Sequence, residues 1–421
     1  MNKKRIIILI FIFLILIFFV WSIIFIKDAR ENRTWPFNSS IGLYLPQWVK
    51  FYAYKFTNPD EKIITTQYYK IKIDYVSVPN KETVGGGGAI NLIEDNSLLL
   101  TLNDGSNYLF DTKDKNFLRT KGTFKNYLGV RDVYYDKKEN KILLLGIKEK
   151  SNEECKVIVL DIYIPVFEER NLNFTNLKNI WTSEELCNDP LENNGGGRVI
   201  EFQNNYFIST GFFSQNLNSG IYPYPQDLKS SFGKIIKISK DGKKNEIYSL
   251  GHRNPQGLFA IEKRNLLISS EHGPQGGDEI NIIRQNNNYG WPCETWGAKY
   301  DYNFSIQSEI WPDQKFLEKY GCSEIKKYTQ PLFSWSPSIA ASQGLHYNGK
   351  EFPKFQDHII LGSLKATSIF RMFLSEEEKI INFEKIFLNE RVRDITLDQN
   401  GKIFIYSDSG NILIISRYLE K

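Results

Sequence analysis

The sequence predicts an all-β protein, a six-bladed β-propeller preceded by a single N-terminal transmembrane helix. From residue 76 onward, short runs rich in β-branched and aromatic residues recur between Gly, Asn and Asp turns, as in Ser97–Leu102, Lys141–Ile147 and Asn411–Ser416. Helical periodicity is scarce after residue 30, and a blade needs about 40–60 residues. The chain therefore holds roughly six blades, and closure into a ring removes the exposed edges of an open sheet.

An apolar segment lies at the N-terminus, Ile6–Ile26, broken only by Ser22. A helix of this length crosses the hydrocarbon core of a bilayer, which is about 30 Å thick. Lys3, Lys4 and Arg5 precede it, so the positive-inside rule places the short N-terminal tail in the cytoplasm. A cleavable signal peptide is the alternative, but the apolar run is long for one, and no small-x-small cleavage site follows it.

We therefore expect four regions along the chain. They are a cytoplasmic tail (1–5), a transmembrane signal anchor (6–26), a periplasmic tether (27–75) and the propeller (76–421). The expected location is the bacterial inner membrane, with a single pass and the C-terminal domain in the periplasm.

The distribution of charge argues against a nucleic-acid partner. The chain has 53 Lys+Arg and 49 Asp+Glu, a formal excess of +4. Residues 1–30, which contain the predicted membrane helix and its flanks, carry all of this excess, so the rest of the chain is neutral. Proteins that bind nucleic acid usually need a basic domain to neutralise phosphates. Any cationic site in the soluble part must therefore be local.

Four cysteines follow the predicted membrane helix, at Cys155, Cys187, Cys293 and Cys322. In an oxidising compartment they could form two disulfides, and pairing sequence neighbours is one of three possible connectivities. Free buried thiols are the alternative. No CxxC or Cys/His cluster is present, so a zinc site is not expected.

Three dense motifs lie between residues 251 and 292. They read GHRNPQG at Gly251–Gly257, EHGPQGGDE at Glu271–Glu279 and NYGWP at Asn288–Pro292. Gly, Pro and Asn favour irregular backbone, and the long polar side chains among them offer hydrogen-bond donors and acceptors at the ends of neighbouring strands. Turns that merely join strands would explain the glycines and prolines but not these polar side chains. The motifs therefore predict a polar binding site.

These strings resemble those of the glucose/sorbosone dehydrogenases, six-bladed propellers that use pyrroloquinoline quinone (PQQ) and calcium to oxidise aldoses. Further matching strings are WSPSIA at Trp335–Ala340, GSLK at Gly362–Lys365 and RVRD at Arg391–Asp394. The resemblance covers about residues 195–415, is loose over 76–194 and does not extend to 1–75. It implies a PQQ- and calcium-dependent dehydrogenase of a sugar or alcohol that passes electrons to a cytochrome or a quinone, and the apolar segment at residues 6–26 adds the expectation that this enzyme is membrane-anchored and faces the periplasm.

The resemblance also implies a PQQ site. PQQ is a flat tricarboxylate, and guanidinium groups suit bidentate contacts with carboxylates. Because side chains alternate along a strand, those of Arg391 and Arg393 should project together. Arg253 and Asn254 would polarise the reacting quinone carbonyl, and Trp335 would cover the ring. The implied cofactor-binding residues are Arg253, Asn254, Gln256, His272, Trp335, Lys365, Arg391 and Arg393.

Calcium follows from the same resemblance. The backbone carbonyls of Gly273 and Pro274 would hold the calcium ion that touches the cofactor. Glu279 and Tyr289 have the ten-residue spacing of the pair that holds a second, structural calcium. Carbonyl and carboxylate oxygens are the hard ligands that calcium accepts.

One position departs from the family pattern. The family places a general-base histidine in a His-x-Gly-Gly-Arg string, but this chain has Asn194 there, and its first histidine is His252. An amide is not a base near neutral pH, and loss of a positioned base typically costs about 10²–10⁴ in rate. The implied catalytic residues are therefore Arg253 and Asn254, with Asn194 in place of the histidine.

Three hypotheses follow from Asn194. The chain oxidises a sugar or another alcohol with a different base, such as Glu192 or His272. Alternatively, it is a tethered PQQ- or glycan-binding propeller without turnover. A third hypothesis is a structural propeller whose motifs only hold blades together, but that role would not require the cofactor-side residues to occur together.

Overall fold

The computed structural model describes residues 61–79, 87–120, 122–150, 155–168, 171–187, 195–212, 225–298, 318, 322 and 327–420. In these residues the chain forms six sheets, which confirms the predicted all-β, six-bladed propeller. Two short 3₁₀ helices, Glu262–Arg264 and Pro353–Phe355, lie in connections between strands.

The first two strands, β1 (Glu61–Thr65) and β2 (Lys70–Ser77), precede the first complete blade. Blades 1 to 3 are antiparallel, except that a short strand, β19, joins blade 3 in parallel. Blade 1 contains β3 (Gly88–Glu94), β4 (Ser97–Leu102), β5 (Asn107–Asp111) and β6 (Asn116–Arg119). Blade 2 contains β7 (Gly129–Asp136), β8 (Lys141–Glu149), β9 (Cys155–Glu168), β10 (Asn171–Thr182) and β11 (Leu186–Cys187). Blade 3 contains β12 (Arg198–Phe202), β13 (Asn205–Thr210), β14 (Lys234–Ser239), β15 (Asn245–Leu250) and β19 (Asn287–Asn288).

Blades 4 to 6 complete the ring, and blade 6 joins the two ends of the described chain. Blade 4 contains β16 (Pro255–Ile261), β17 (Leu266–Glu271), β18 (Asp278–Ile283) and β20 (Phe333–Trp335). Blade 5 contains β21 (Ala341–His346), β22 (His358–Ser363), β23 (Ser368–Leu374) and β24 (Ile380–Phe387). Blade 6 contains β25 (Val392–Leu397), β26 (Ile403–Ser407) and β27 (Asn411–Arg417), to which β2 and then β1 are added.

The expected boundary between tether and propeller at residue 76 is wrong. Strand β2 pairs with the C-terminal strand β27 from Ile71 opposite Arg417 to Ser77 opposite Asn411, and β1 pairs with β2. Ile71 and Ile73 point into the core of this blade. Residues 61–77 therefore belong to the propeller, because their alternating apolar side chains are buried only when the two ends of the chain pair.

The predicted membrane helix at residues 6–26 and the rest of the predicted tether lie outside the described residues. Among the described residues, no helix is long and apolar enough to cross a membrane. The two cysteine pairs that are neighbours in the sequence form disulfides, Cys155–Cys187 and Cys293–Cys322.

The innermost strands of the six blades surround the central channel. They are β3, β7, β12, β16, β21 and β25, and each contacts the innermost strand of the next blade around the ring. Large apolar clusters lie between neighbouring blades, such as the cluster of Leu143, Leu160, Ile208 and Ile236 between blades 2 and 3. Burial of apolar surface between blades stabilises the ring and gives the channel-side loops a rigid base.

Candidate functional site

Five of the six innermost strands have a β-bulge or another register irregularity, and in three of them a single extra residue carries a long polar side chain. The extra residues are Arg131 in β7, Gln256 in β16 and Arg393 in β25, each of which has no partner in the register of its neighbouring strand. A bulge bends its strand and redirects a side chain, and bulges are common next to active sites. Two of the three bulged residues, Gln256 and Arg393, are sequence-predicted cofactor residues.

Arg253 lies just before β16 and is largely buried. Its Nη1 donates to the carbonyl oxygens of His272 at 3.0 Å and Gly273 at 2.7 Å, and its guanidinium lies 5.1 Å from the ring centroid of Trp291. The backbone N–H of Arg253 donates to Glu271. All three predicted motifs thus meet at this one residue.

A line of hydrogen bonds connects four of the other predicted cofactor residues. Gln256 donates through Nε2 to Asn254 Oδ1 at 2.9 Å, and Arg393 Nη1 lies 3.4 Å from Gln256 Oε1. Arg393 donates to Asp408 through Nε at 2.7 Å and through Nη2 at 2.9 Å, and Arg391 donates to the same carboxylate at 3.2 Å. Arg391 and Arg393 therefore converge as predicted, although the bulge interrupts simple alternation at Arg393.

Asp408 was not found by sequence reasoning. Burial would raise the pKa of this carboxyl, but the guanidinium groups of Arg393 and Arg391 outweigh that effect and hold its pKa below the usual range. Asp408 is therefore a carboxylate that orients two arginines. No local motif marks it, because it lies 15 residues after Arg393 in the turn between β26 and β27.

His272 lies beside the line of cofactor residues. Its Nδ1 is 3.4 Å from Asn254 Nδ2, and its buried Nε2 has no hydrogen-bond partner in the described part of the chain. Burial lowers the pKa of His272 to about 4; Asp278 opposes this shift, whereas Arg253 adds to it. The imidazole is therefore neutral at physiological pH and can accept a proton, but it is a weak base.

Lys365 lies in the turn after β22 of blade 5, and Trp335 is the last residue of β20 in blade 4. The side chain of Lys365 is exposed. The Trp335 indole is only 6% exposed and packs between Phe333 and Phe370 in a core cluster. The structure thus places this ring in the core between blades 4 and 5, which differs from the predicted cover over the cofactor ring.

A small pocket lies among the three motifs and contains several carboxylates. Glu271, Glu279 and Glu294 line it together with Tyr289 and Gly273. Burial, together with the negative charges of Glu271, Glu294 and Asp278, raises the pKa of Glu279 to about 8. A divalent cation would relieve this repulsion, so the pocket fits calcium.

Tyr289 contributes to this pocket in a restricted way. Its hydroxyl donates to the Ile282 carbonyl at 2.6 Å and accepts from the Arg284 N–H at 2.9 Å. Because the hydroxyl already makes these two hydrogen bonds, the main-chain carbonyl is the oxygen of Tyr289 that could bind a cation. Gly273 keeps one carbonyl lone pair beyond its bond from Arg253.

Two glycines allow the motifs to approach each other closely. Gly251 has φ +78°, and a Cβ on it would lie 2.3 Å from Asn288 Oδ1. Gly277 has φ +67°, and its Cβ would lie 2.2 Å from the N atom of Gly297. No other residue type fits at either position without displacing backbone or a buried side chain.

A buried series of polar contacts ends at the carboxylates that line the pocket. Ser249 Oγ is 2.8 Å from His252 Nε2, and His252 Nδ1 is 3.1 Å from Glu271 Oε1. Asn281 donates to both Glu271 and Glu279. The first three residues have the order of a hydrolytic triad, but Ser249 and His252 are completely buried. Their arrangement therefore orients Glu271, and through it the backbone of Arg253.

Asn194 lies outside the described residues, but the chain just after it borders the site. The backbone N–H of Gly196 donates to Asn254 Oδ1 at 2.9 Å, the same oxygen that accepts from Gln256. A sidechain-bearing residue at Gly196 would crowd the Pro255 carbonyl. Gly196, two residues after position 194, is therefore hydrogen-bonded directly to a predicted cofactor residue.

The donor set fits a planar polycarboxylate. Arg391 and Arg393 share the Asp408 carboxylate, Gln256 links Arg393 to Asn254, and the neighbouring Arg253 adds a third guanidinium group. Fork-shaped guanidinium donors match carboxylates better than ammonium groups do. The residues present thus fit PQQ on this side and calcium in the adjacent pocket.

Comparison with known proteins gives a consistent assignment. The profile of the family described as Glucose / Sorbosone dehydrogenase matches residues 88–415. The chain is 34% identical over 243 residues to Aldose sugar dehydrogenase YliI of Escherichia coli (strain K12), which is 53% of this chain and 60% of that protein. It is 27% identical over 242 residues to Quinoprotein glucose dehydrogenase B of Acinetobacter calcoaceticus, 44% of this chain and 50% of that protein. The matches thus span about half the length of these relatives.

Solved structures share the fold. The apo form of the soluble Aldose sugar dehydrogenase from Escherichia coli matches with a TM-score of 0.66 at 24% identity, over 82% of this chain and 100% of that one. A PQQ-bound Aldose Sugar Dehydrogenase from Streptomyces coelicolor matches with a TM-score of 0.56 at 18% identity, over 82% of this chain and 98% of that one.

Proposed function

The chain belongs to the glucose/sorbosone dehydrogenase family, and on this premise we propose that it is a PQQ- and calcium-dependent dehydrogenase of a sugar or another alcohol. The observation that carries the proposal is the connected group of Arg253, Asn254, Gln256, Arg393 and Arg391 at the channel. Bound PQQ would supply the quinone that accepts a hydride from the substrate carbon.

The residues of this chain would bind and orient the reactants. Arg391, Arg393 and Lys365 would hold the carboxylates of PQQ, and Arg253 and Asn254 would stabilise negative charge on its reacting carbonyl. Preorganised donors at such a position are usually a large contribution to catalysis. His272 is neutral, and its Nδ1 faces the amide donor of Asn254 and is therefore the acceptor nitrogen, so Nδ1 is the candidate to accept the hydroxyl proton.

Asn194 favours a second candidate function. Without the family's histidine the site can hold PQQ or a glycan and turn over slowly or not at all. The chain would then be a tethered binding protein, which shares the cofactor contacts with the enzyme and differs only in turnover.

The surroundings of the site form part of the proposal. The apolar segment at residues 6–26 and the basic residues before it support a single-pass anchor in the bacterial inner membrane, with the propeller in the periplasm. Two disulfides suit that oxidising compartment. A cytochrome or a quinone of the membrane would then accept the electrons.

Reconstitution tests the proposed function. Purified full-length protein is mixed with PQQ and calcium, PQQ binding is measured by absorbance titration, and oxidation of several aldoses is followed with a redox dye. We expect saturable PQQ binding and calcium-dependent dye reduction. Binding without dye reduction would select the tethered binding protein, and absence of PQQ binding would refute both candidates.

We expect Glu279→Gln to remove the stabilisation by calcium. Folding raises the pKa of Glu279 to about 8, so the stability of the calcium-free protein should fall as pH rises from about 4.5 through 8. Calcium at 100 times its dissociation constant should restore about 2.7 kcal/mol in the wild type. The variant should be at least as stable as the wild type without calcium at pH 8, and should gain nothing when calcium is added. Thermal denaturation with and without calcium measures both effects.

Glu390→Gln is the matched control for this experiment. Glu390 lies in blade 6, and burial raises its pKa to about 8 as well, while Ser409 and Asn411 donate to it. The folding stability of Glu390→Gln should also fall less at high pH than that of the wild type, but calcium should stabilise this variant as much as it stabilises the wild type. A Glu279→Gln protein that keeps the calcium gain would show that the ion binds elsewhere.

A further inference from the structure

Arg198 joins its own blade to three others through one buried guanidinium group. It begins β12 in blade 3, and its side chain is 3% exposed. It donates through Nε to the Gln256 carbonyl at 2.7 Å and through Nη2 to the Arg393 carbonyl at 2.9 Å. Its Nη1 donates to Asp132 at 3.2 Å and to Asp394 at 3.1 Å. The partners come from blades 2, 4 and 6.

The two carbonyl groups that Arg198 binds belong to the two bulged residues of the cofactor site. A bulged residue does not take part in the regular ladder, so its backbone groups need other partners when they are buried. Arg198 provides that partner for both Gln256 and Arg393. The conformation of each bulge determines where its side chain points.

The guanidinium group of Arg198 is itself held in place. The second oxygen of Asp132 accepts from the Val199 N–H at 2.8 Å, and the second oxygen of Asp394 accepts from the Ile90 N–H at 2.8 Å. Both carboxylates are buried and are fixed by backbone donors from blades 3 and 1. Arg198 can therefore impose one geometry on the strands around the channel.

We propose that Arg198 is a positioning residue for the cofactor: by binding the carbonyl groups of Gln256 and Arg393, it fixes the bulges that aim these two side chains at PQQ. Arg198 does not itself touch the cofactor in this proposal. The inference rests on the proposed function and adds the residue that preorganises its site.

Arg371 offers a matched comparison for a purely stabilising role. It is completely buried in blade 5 and donates to Glu384 at 2.9 Å and to His358 at 2.7 Å. Its guanidinium lies over the rings of Tyr68 and Phe355. Arg371 is thus another buried arginine in an ion pair, but none of its partners is a predicted cofactor residue.

The experiment compares Arg198→Lys with Arg371→Lys in the full-length protein. Lysine keeps the charge, and so the attraction to Asp132 and Asp394, but it cannot bind both carbonyl groups in the same fork geometry. We expect Arg198→Lys to weaken PQQ binding by about 10- to 100-fold, the loss typical for residues that orient a binding group. Its calcium affinity should be unchanged. Arg371→Lys should lower thermal stability but leave PQQ affinity within about twofold.

Each outcome decides one question. Equal PQQ affinity in Arg198→Lys and wild type would overturn the positioning role, while the proposed function would stand. A wild type that binds no PQQ would overturn the proposed function and this inference together. If Arg198→Lys does not fold, hydrogen exchange of the wild type decides. PQQ should slow exchange in residues 198–202, which contain no predicted cofactor ligand, and unchanged exchange there would refute the proposal.

Discussion

Arg393→Met is expected to weaken PQQ binding by about 100-fold or more. Arg393 is a nearly buried guanidinium that already binds Asp408 through two nitrogens, so it is held in place before a carboxylate arrives. The charge pair in question is the one that Arg393 would form with a PQQ carboxylate. Truncation of one member of such a buried, hydrogen-bonded pair typically costs about 2–5 kcal/mol of binding free energy, and each 1.4 kcal/mol is tenfold in affinity. Absorbance titration of the full-length protein with PQQ measures the change.

The control for this substitution is Arg264→Met. Arg264 lies in a surface 3₁₀ helix and donates to the carbonyl groups of Leu374 and Glu376, away from the channel. It should leave PQQ affinity unchanged. Arg393→Lys keeps the positive charge but loses the paired donors of the guanidinium group, so its PQQ affinity should lie between those of Arg393→Met and the wild type. Wild-type affinity in Arg393→Met would show that the cofactor carboxylates do not bind this arginine.

Asn194→His is expected to raise the rate of sugar oxidation by about 10²- to 10⁴-fold, which is the usual contribution of a positioned general base. The chain beside it is tied to the cofactor site through the bond from Gly196 to Asn254. A histidine at this position restores the family's string, and its imidazole would titrate close to neutral pH. Dye-linked oxidation of aldoses by the PQQ- and calcium-loaded protein gives the rate.

Asn193→His is the matched control, because it adds the same side chain one residue earlier. It should leave the rate unchanged, and neither variant should alter PQQ affinity by more than a few fold. In Asn194→His, but not in Asn193→His, the oxidation rate should also depend on an ionising group that titrates near neutral pH. If PQQ binds and Asn194→His is no faster than Asn193→His, the absence of the histidine does not explain slow turnover.

The predicted strands were largely correct where one local pattern decided them. Runs such as Ser97–Leu102 and Asn411–Ser416 alternate with Gly, Asn and Asp turns, and the structure has strands there. Residues 61–75 were assigned to the tether because residues 31–75 as a whole show no clear periodicity, and in the structure β2 pairs with a segment more than 300 residues away while β1 pairs with β2. Long-range pairing leaves no signal in a short window of sequence.

In the candidate site, too, local sequence patterns were predicted correctly and long-range contacts were not. The three motifs at residues 251–292 were identified from their composition, and they do meet around Arg253. The roles of Asp408, Arg198 and Glu271 were not predicted, because each acts on residues from another strand or blade. Trp335 was expected over the cofactor, but its ring is needed to fill the core between two blades.

The sequence by itself determined the architecture and the chemical character of this protein. Strand-sized apolar runs between turns specify a ring of sheets, and the motif residues supply guanidinium, amide and carboxylate groups of the kind that suit an anionic cofactor and a hard cation. Only the tertiary structure decided how these groups are aimed. The bulges at Gln256 and Arg393, the shared carboxylate of Asp408 and the fork of Arg198 arise from contacts between blades. Their geometry depends on closure of the ring, which no local pattern encodes.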